Sequence, residues 1–213
     1  MKTPFHHARF LLGAHRLAQL PPDTGVEIAF AGRSNAGKSS ALNALTGQKK
    51  LARTSKTPGL TQQINIFTIN EEQRLADLPG YGYAKVPRKM QQHWQKTLGN
   101  YLQTRQSLQG LCLIMDIRHP FTPQDGQLLD WCRQVEMPVH ILLTKADKLS
   151  RNQARQALMQ AQSHIDREYP LTTVQIFSAT KKTGIEEAQQ TLLLWLESGT
   201  EKGPDYKGNE TGA

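Results

Sequence analysis

An α/β fold with a doubly wound, mostly parallel sheet is predicted for this 213-residue chain by three observations. β-type runs alternate with helical runs along most of its length, and a glycine-containing loop joins an early strand to the helix after it. A later run, Leu111-Cys112-Leu113-Ile114-Met115-Asp116, is almost continuously apolar. That is expected of a parallel strand covered by helices on both faces, because neither side of its pleat meets water.

The glycine loop is Gly32-Arg33-Ser34-Asn35-Ala36-Gly37-Lys38-Ser39, after the β-type run Val26–Ala31 and before the helical run Ser40–Leu45. Strand, loop, Gly-Lys-Ser and helix in that order are the context a phosphate-binding P-loop requires. Gly32 and Gly37 permit backbone angles closed to other residues, so successive N–H groups can curl around a phosphate. The helix beginning near Lys38 turns its positive dipole end to the same place. Lys38 can reach β- and γ-phosphates, and the Ser39 hydroxyl can ligate magnesium.

The elements follow in chain order. Residues 3–20 carry Phe5, Phe10, Leu11, Leu12, Leu17 and Leu20 among basic residues and predict a short helical or irregular arm closed by Pro21-Pro22-Asp23. Gln48 to Thr61 has no hydrophobic periodicity and is long for a plain connection, as functional loops are. Gln63–Ile69 alternates with period two, Asn70-Glu71-Glu72 turns, and Arg74–Leu78 returns, giving a β-hairpin. Residues 87–105 read as a helix, followed by the apolar strand Leu111–Asp116 and a helix over Pro123–Val135. Then come the strand Val139–Leu143, a helix over Ser150–Glu168, the strand Thr173–Phe177 and a last helix reaching Leu196. The expectation is a P-loop NTPase sheet of six strands with the hairpin strand as an antiparallel edge and helices on both faces. Residues 1–24 form the arm, 25–198 the single nucleotide-binding domain, and 199–213, nearly without apolar residues, a disordered tail.

Composition sets outer limits. Lys and Arg outnumber Asp and Glu by 26 to 18, and the net charge of +8 favours a polyanionic partner such as RNA, or a membrane surface. The two cysteines, Cys112 and Cys132, lack metal-ligand spacing and suit a reducing compartment. No run approaches the roughly 18 apolar residues of a spanning helix, so the expected location is the cytoplasm, with no membrane partner.

Further motifs sit at strand ends on the carboxyl side of the sheet, where such folds bind ligands. Asp77-Leu78-Pro79-Gly80 offers a carboxylate that can hold magnesium through water and a Gly80 N–H that can sense a γ-phosphate. In Thr144-Lys145-Ala146-Asp147, the Asp147 carboxylate can accept from both N1–H and the 2-amino group of guanine. Adenine lacks both donors and would leave that carboxylate unpaired. The Lys145 stem can lie over the base, and Ser178-Ala179-Thr180 can offer a backbone N–H to guanine O6. The nucleotide is therefore read as GTP or GDP. An ATP-using kinase is disfavoured by Asp147.

These segments together resemble the EngB (YihA/YsxC) family of ribosome-biogenesis GTPases, within the TrmE-Era-EngA-EngB-septin-like superfamily. The resemblance rests on Gly32 to Ser40, Lys56-Thr57-Pro58-Gly59-Leu60-Thr61-Gln62, Asp77-Leu78-Pro79-Gly80-Tyr81-Gly82-Tyr83-Ala84, Thr144 to Asp147 and Phe177-Ser178-Ala179. It implies magnesium ligation by Ser39 and Thr61. It also implies nucleotide contacts from Gly32, Arg33, Ser34, Asn35, Ala36, Gly37, Lys38, Ser39 and Ser40, and from Gly59, Leu60, Thr61, Gln62 and Gln63. Asp77, Leu78, Pro79 and Gly80, Thr144, Lys145, Ala146 and Asp147, and Phe177, Ser178 and Ala179 complete the set. Leu60 stands where the family often has Arg, and Thr144 where the generic guanine motif has Asn.

By that resemblance the chain is expected to be a monomeric, magnesium-dependent GTPase switch in large (50S) ribosomal subunit assembly, linked also to cell division and septation. The alternative is a regulatory module acting directly on septation proteins. Ras-type enzymes place a water-orienting Gln after Asp-x-x-Gly; Tyr81 stands there, so slow turnover is expected, with Lys38 and Thr61 as catalytic groups. In related GTPases an Asn at the position of Asn35 ligates potassium, which implies K+ stimulation here. Lys49, Lys50, Arg53 and Lys56, with Lys85, Arg88, Lys89 and Lys96, flank the two switch segments and could grip ribosomal RNA phosphates.

Overall fold

The computed structural model describes residues 3–52, 63–82 and 88–201. Its sheet has seven strands in the spatial order β1 (Arg9–Ala14), β3 (Ile64–Thr68), β4 (Gln73–Asp77), β2 (Val26–Gly32), β5 (Leu108–Asp116), β6 (Val139–Thr144) and β7 (Thr172–Ile176). β3 runs antiparallel to both β1 and β4, and every other neighbouring pair is parallel.

The seventh strand corrects the expected count of six. The segment read as a helical or irregular arm forms β1, which takes the edge and moves antiparallel β3 one place inward. Its sequence hides the strand because the register shifts between Phe10 and Leu12, and such a bulge breaks the period-two signal. Phe10 and Leu11 are both exposed as a result, and Phe10 leans edge-on against Phe67 with ring centroids 5.9 Å apart.

Among the described residues five α-helices cover the sheet: α1 (Lys38–Leu45), α2 (Arg88–Thr104), α3 (Pro123–Gln134), α4 (Arg151–Glu168) and α5 (Ile185–Glu201). The last extends beyond the expected end at Leu196. Pro123 opens α3 behind a Thr122–Asp125 capping box, and Ser150 with Gln153 does the same for α4, satisfying N–H groups that the first turn leaves unpaired.

Alternation along the central strands divides the core in two. Ala29, Ala31, Leu111, Leu113, Ile141 and Leu143 face one side, packed with Leu98 and Tyr101 of α2, Leu128 and Leu129 of α3, and Ile165 of α4. Ile28, Phe30, Cys112, Ile114 and Leu142 face the other, against Leu42 and Leu45 of α1 and Leu192 and Leu196 of α5. Each of the leucine, isoleucine and phenylalanine side chains among these contributes about 1.5–3 kcal/mol by leaving water. This two-sided burial makes the strands apolar throughout and brings the C-terminal ends of β2, β4, β5, β6 and β7 to one rim, where the predicted motifs lie. Cys112 and Cys132 are free and buried, and burial pushes the Cys132 thiol up to about 12.

Candidate nucleotide-binding site

The loop between β2 and α1 is shaped by its two glycines for different reasons. Gly37 has φ 103°, a left-handed conformation costly for residues with a Cβ. Gly32 ends β2, and it needs space rather than an unusual angle: a Cβ there would sit 2.6 Å from the Ile114 carbonyl oxygen of β5. That corrects the expectation that both glycines serve backbone angle. Asn35 is exposed and also left-handed, at φ 62°.

Lys38 and Ser39 are the first two residues of α1. The Lys38 ammonium pairs with the Asp77 carboxylate at the end of β4, and both side chains are largely buried. A cation able to meet phosphate and a carboxylate able to serve a hard metal ion therefore stand side by side. With the adjacent Ser39 hydroxyl, these oxygens suit Mg2+ in donor type. Leu78 is buried, with its N–H bonded to Phe30 O at 2.9 Å, and it fixes the start of the Asp77-Leu78-Pro79-Gly80 segment beside β2. A Cβ on Gly80 would lie 3.5 Å from the Ser34 nitrogen, so this glycine sits directly against the phosphate loop.

The guanine-side segment is joined to the same loop. The Thr144 hydroxyl hydrogen-bonds the Ala36 carbonyl, with Met115 O 3.0 Å away as a second acceptor. Lys145, left-handed at φ 59°, extends its Nζ to Asn35 O at 2.5 Å and to Asp116 Oδ2 at 3.0 Å. Two non-glycine residues with positive φ thus meet at the site, where such strain is commonly stored.

Asp147 and Ser178, 31 positions apart, are brought together. Ser178 Oγ donates to Asp147 Oδ1 at 2.6 Å and accepts the Lys181 N–H at 3.1 Å. That hydrogen bond holds the Asp147 carboxyl below its ordinary range, so it is ionised at neutral pH and able to accept from a base. Ala146 N donates to Phe177 O, and Phe177 N to Leu143 O, binding the two base-side segments into one unit. Ala179 follows within the tight turn that Ser178 and Thr183 close by reciprocal backbone bonds of 3.0 Å.

Gly59, Leu60, Thr61 and Gln62 lie outside the described residues, as do Arg53, Lys56, Tyr83 and Lys85 and the side chains of Arg88 and Lys89. Gln63, half-buried, reaches His15 Nε2 at 2.6 Å. Ser34 and Arg33 meet the second switch segment through the backbone of Tyr81. Ser40 is exposed in the first turn of α1. Among the basic residues, Lys49, Lys50 and Lys96 are exposed.

Asp116 and Arg118 escaped the reading of the sequence. Burial works to raise the Asp116 pKa, but bonds from Arg118 (Nη2 to Oδ2, 2.6 Å) and from Lys145 outweigh it and hold the carboxyl well below the usual range. A lone carboxylate terminating an apolar strand was the available signal, as it was for Asp77.

Comparison with known proteins agrees with this geometry. A family model described as 50S ribosome-binding GTPase matches residues 27–145. A probable GTP-binding protein EngB of Nitrosomonas europaea is 56% identical over 195 residues, covering 92% of this chain and 88% of that protein. The corresponding protein of Nitrosococcus oceani is 53% identical over 199 residues, covering 93% of this chain and all (100%) of its own. Among solved structures, a probable GTP-binding protein EngB superposes with a TM-score of 0.64 at 22% identity, covering 81% of this chain and 100% of the other. Era in complex with MgGDPNP and 16S ribosomal RNA nucleotides gives a TM-score of 0.62 at 22% identity over 81% of this chain and 57% of its own. At that identity these two likenesses show the fold. With its phosphate loop, base-side carboxylate and sheet order all in place, the chain belongs to the EngB family of GTP-binding proteins and is a GTPase.

Proposed function

We propose that this GTPase is a nucleotide-controlled switch acting in assembly of the large ribosomal subunit. The observation that carries the reading is the match to the 50S ribosome-binding GTPase family over residues 27–145. The net charge of +8 and the exposed Lys49, Lys50 and Lys96 support an RNA-rich partner.

At the site, backbone N–H groups of the Gly32–Lys38 loop cradle the phosphates, and Lys38 meets the β- and γ-oxygens. Asp147 accepts the two guanine donors while Ser178 and Lys145 hold the base-side walls. Ser39 and Thr61 are the direct magnesium ligands in this reading, with Asp77 acting through water. The ion would supply charge neutralisation on the β- and γ-oxygens. Gly80 N–H meets the γ-phosphate, so that the second switch segment, and the surface it presents, depends on which nucleotide is bound.

The same reading has Asn35 as the residue that would hold a potassium ion, whose positive charge would stand in for an arginine finger. Turnover in potassium buffer then exceeds that in sodium buffer, and equal rates would remove the proposal. Sedimentation of the protein with ribosomal subunits in its GTP and GDP forms tests the assembly role itself.

A further inference from the structure

Tyr81 occupies the position after Asp77-Leu78-Pro79-Gly80 at which a Ras-type enzyme carries its water-orienting glutamine. Its phenol is directed away from any such task. The hydroxyl donates to Asp125 Oδ1 at 2.6 Å, and burial, then Asp125 itself, pushes the phenol pKa well above its ordinary value. Tyr81 is therefore a neutral donor throughout the working range.

Asp125 is 1% exposed and uses both oxygens. Oδ2 accepts the Thr122 N–H at 2.8 Å and the Thr122 hydroxyl at 2.7 Å, which closes the N-terminus of α3. One buried carboxylate thus caps a rigid helix and receives the first side chain of the second switch segment. A carboxylate in such a place is costly unless its lone pairs are met, and the tyrosine meets one of them.

Tyr81 is also held through its backbone. Ser34 N donates to Tyr81 O at 2.8 Å, and Tyr81 N donates to Gly32 O at 3.3 Å, so the segment is zipped to the phosphate loop. On the far side Gly82 lies under the Arg33 side chain, where a Cβ would meet Arg33 Nε at 3.3 Å. Gly80, whose N–H meets the γ-phosphate in the proposed function on which this inference rests, is the residue immediately before this doubly fixed point.

We propose that Tyr81 and Asp125 are positioning residues for GTP hydrolysis: their hydrogen bond pins the root of the second switch segment to α3, and so holds Gly80 at the phosphate loop. Neither residue touches the reacting atoms. The bond fixes the origin of the segment, at Tyr81, against α3. Simple core filling would be served as well by phenylalanine, which would not require a buried carboxylate opposite it. The inference concerns hydrolysis alone and holds whatever partner the switch engages.

The test compares the full-length protein with Tyr81→Phe, Asp125→Ala and the double variant, reading kcat and KM for GTP, the GDP dissociation constant and the melting temperature. Tyr81→Phe keeps the ring and removes only the bond. The expected result is a kcat lowered about tenfold, with KM and GDP affinity within about twofold, because the loss is of geometry rather than of binding. The double variant should be no slower than the slower single one, as coupled residues behave. Should Asp125→Ala fail to fold, Tyr81→Phe alone decides. A Tyr81→Phe kcat within about twofold of the parent would overturn the proposal, as would losses that multiply in the double variant.

Discussion

The hydroxyl of Thr144 hydrogen-bonds the carbonyl of Ala36, a contact between residues 108 positions apart that ties the end of β6 to the phosphate loop. The generic guanine motif has an asparagine at this position, and a single hydroxyl here makes the phosphate-loop contact. Thr144→Val preserves shape and removes the donor, leaving buried carbonyl oxygens short of a partner. The expected cost is about 1–3 kcal/mol of stability, and roughly tenfold weaker binding of GTP and GDP alike. Isothermal titration of both nucleotides measures this, and unchanged affinities would show the bond to be incidental.

In the proposed function, base selectivity resides in Asp147. Asp147→Asn replaces one acceptor with a donor, so guanine loses half of its bidentate pairing while a xanthine nucleotide, with a carbonyl in place of the amino group, gains a partner. GTP affinity should fall by about 100-fold or more while xanthosine triphosphate binding rises. Competition titrations of the two nucleotides check the exchange. With its folded pKa below the ordinary 3.8, this carboxylate keeps its charge as pH falls to that value, so guanine preference should persist across mildly acid buffers.

His140 makes folding sensitive to acid. It is 3% exposed on β6; Nδ1 faces Thr173 Oγ1 at 2.7 Å and Nε2 faces Gln175 Oε1 at 2.8 Å. The Gln175 amide nitrogen is committed to Gly184 O, so its oxygen accepts from Nε2–H. Burial lowers the imidazole pKa below 6.5, with Gln175 opposing in part. Below pH 6.5 the unfolded chain therefore takes up a proton that the folded one refuses. Stability is complete above that pH and lost as pH falls towards the lowered folded value, at no more than about 1.4 kcal/mol per pH unit. Melting temperatures between pH 5 and 8, on the order of physiological values, should show this decline in the parent and a shallower one in His140→Gln.

A buried ionic cluster at the opposite end of the sheet is structural. Glu27, fully buried near the start of β2, accepts Tyr101 OH at 2.6 Å, Arg105 Nε at 3.1 Å and Nη2 at 3.0 Å, and Arg74 Nε at 3.4 Å. Glu27→Ala would leave the buried Arg74 guanidinium without its counterion and Arg105 with only Asp23 Oδ1, 3.4 Å away, at a cost of about 3–5 kcal/mol. Denaturant unfolding measures the loss. Nucleotide affinity of the folded fraction should be unaffected, because the cluster lies at the end of β2 away from Gly32.

How much of this was legible in the sequence follows the range of each interaction. Gly32 to Ser39, Asp77 to Gly80 and Asp147 are local arrangements at strand ends, and spacing alone located them. Ser178 was located by its place after the last strand, but the bond from its hydroxyl to Asp147, 31 positions away, was not. β1 was not legible, since a bulge at Phe10–Leu12 removes the alternation by which a strand is recognised. The Tyr81–Asp125 bond and the Glu27 cluster were invisible for another reason: each joins residues 44 or more positions apart, and nothing in either local sequence requires the other.

The most direct test of the switch account is co-sedimentation of the full-length protein with large ribosomal subunits, loaded in parallel with a non-hydrolysable GTP analogue and with GDP. The account predicts that the protein pellets with the large subunit in the GTP-analogue form and is largely released in the GDP form, with binding that weakens steeply as salt rises. Equal binding in both nucleotide states, or none in either, would contradict it.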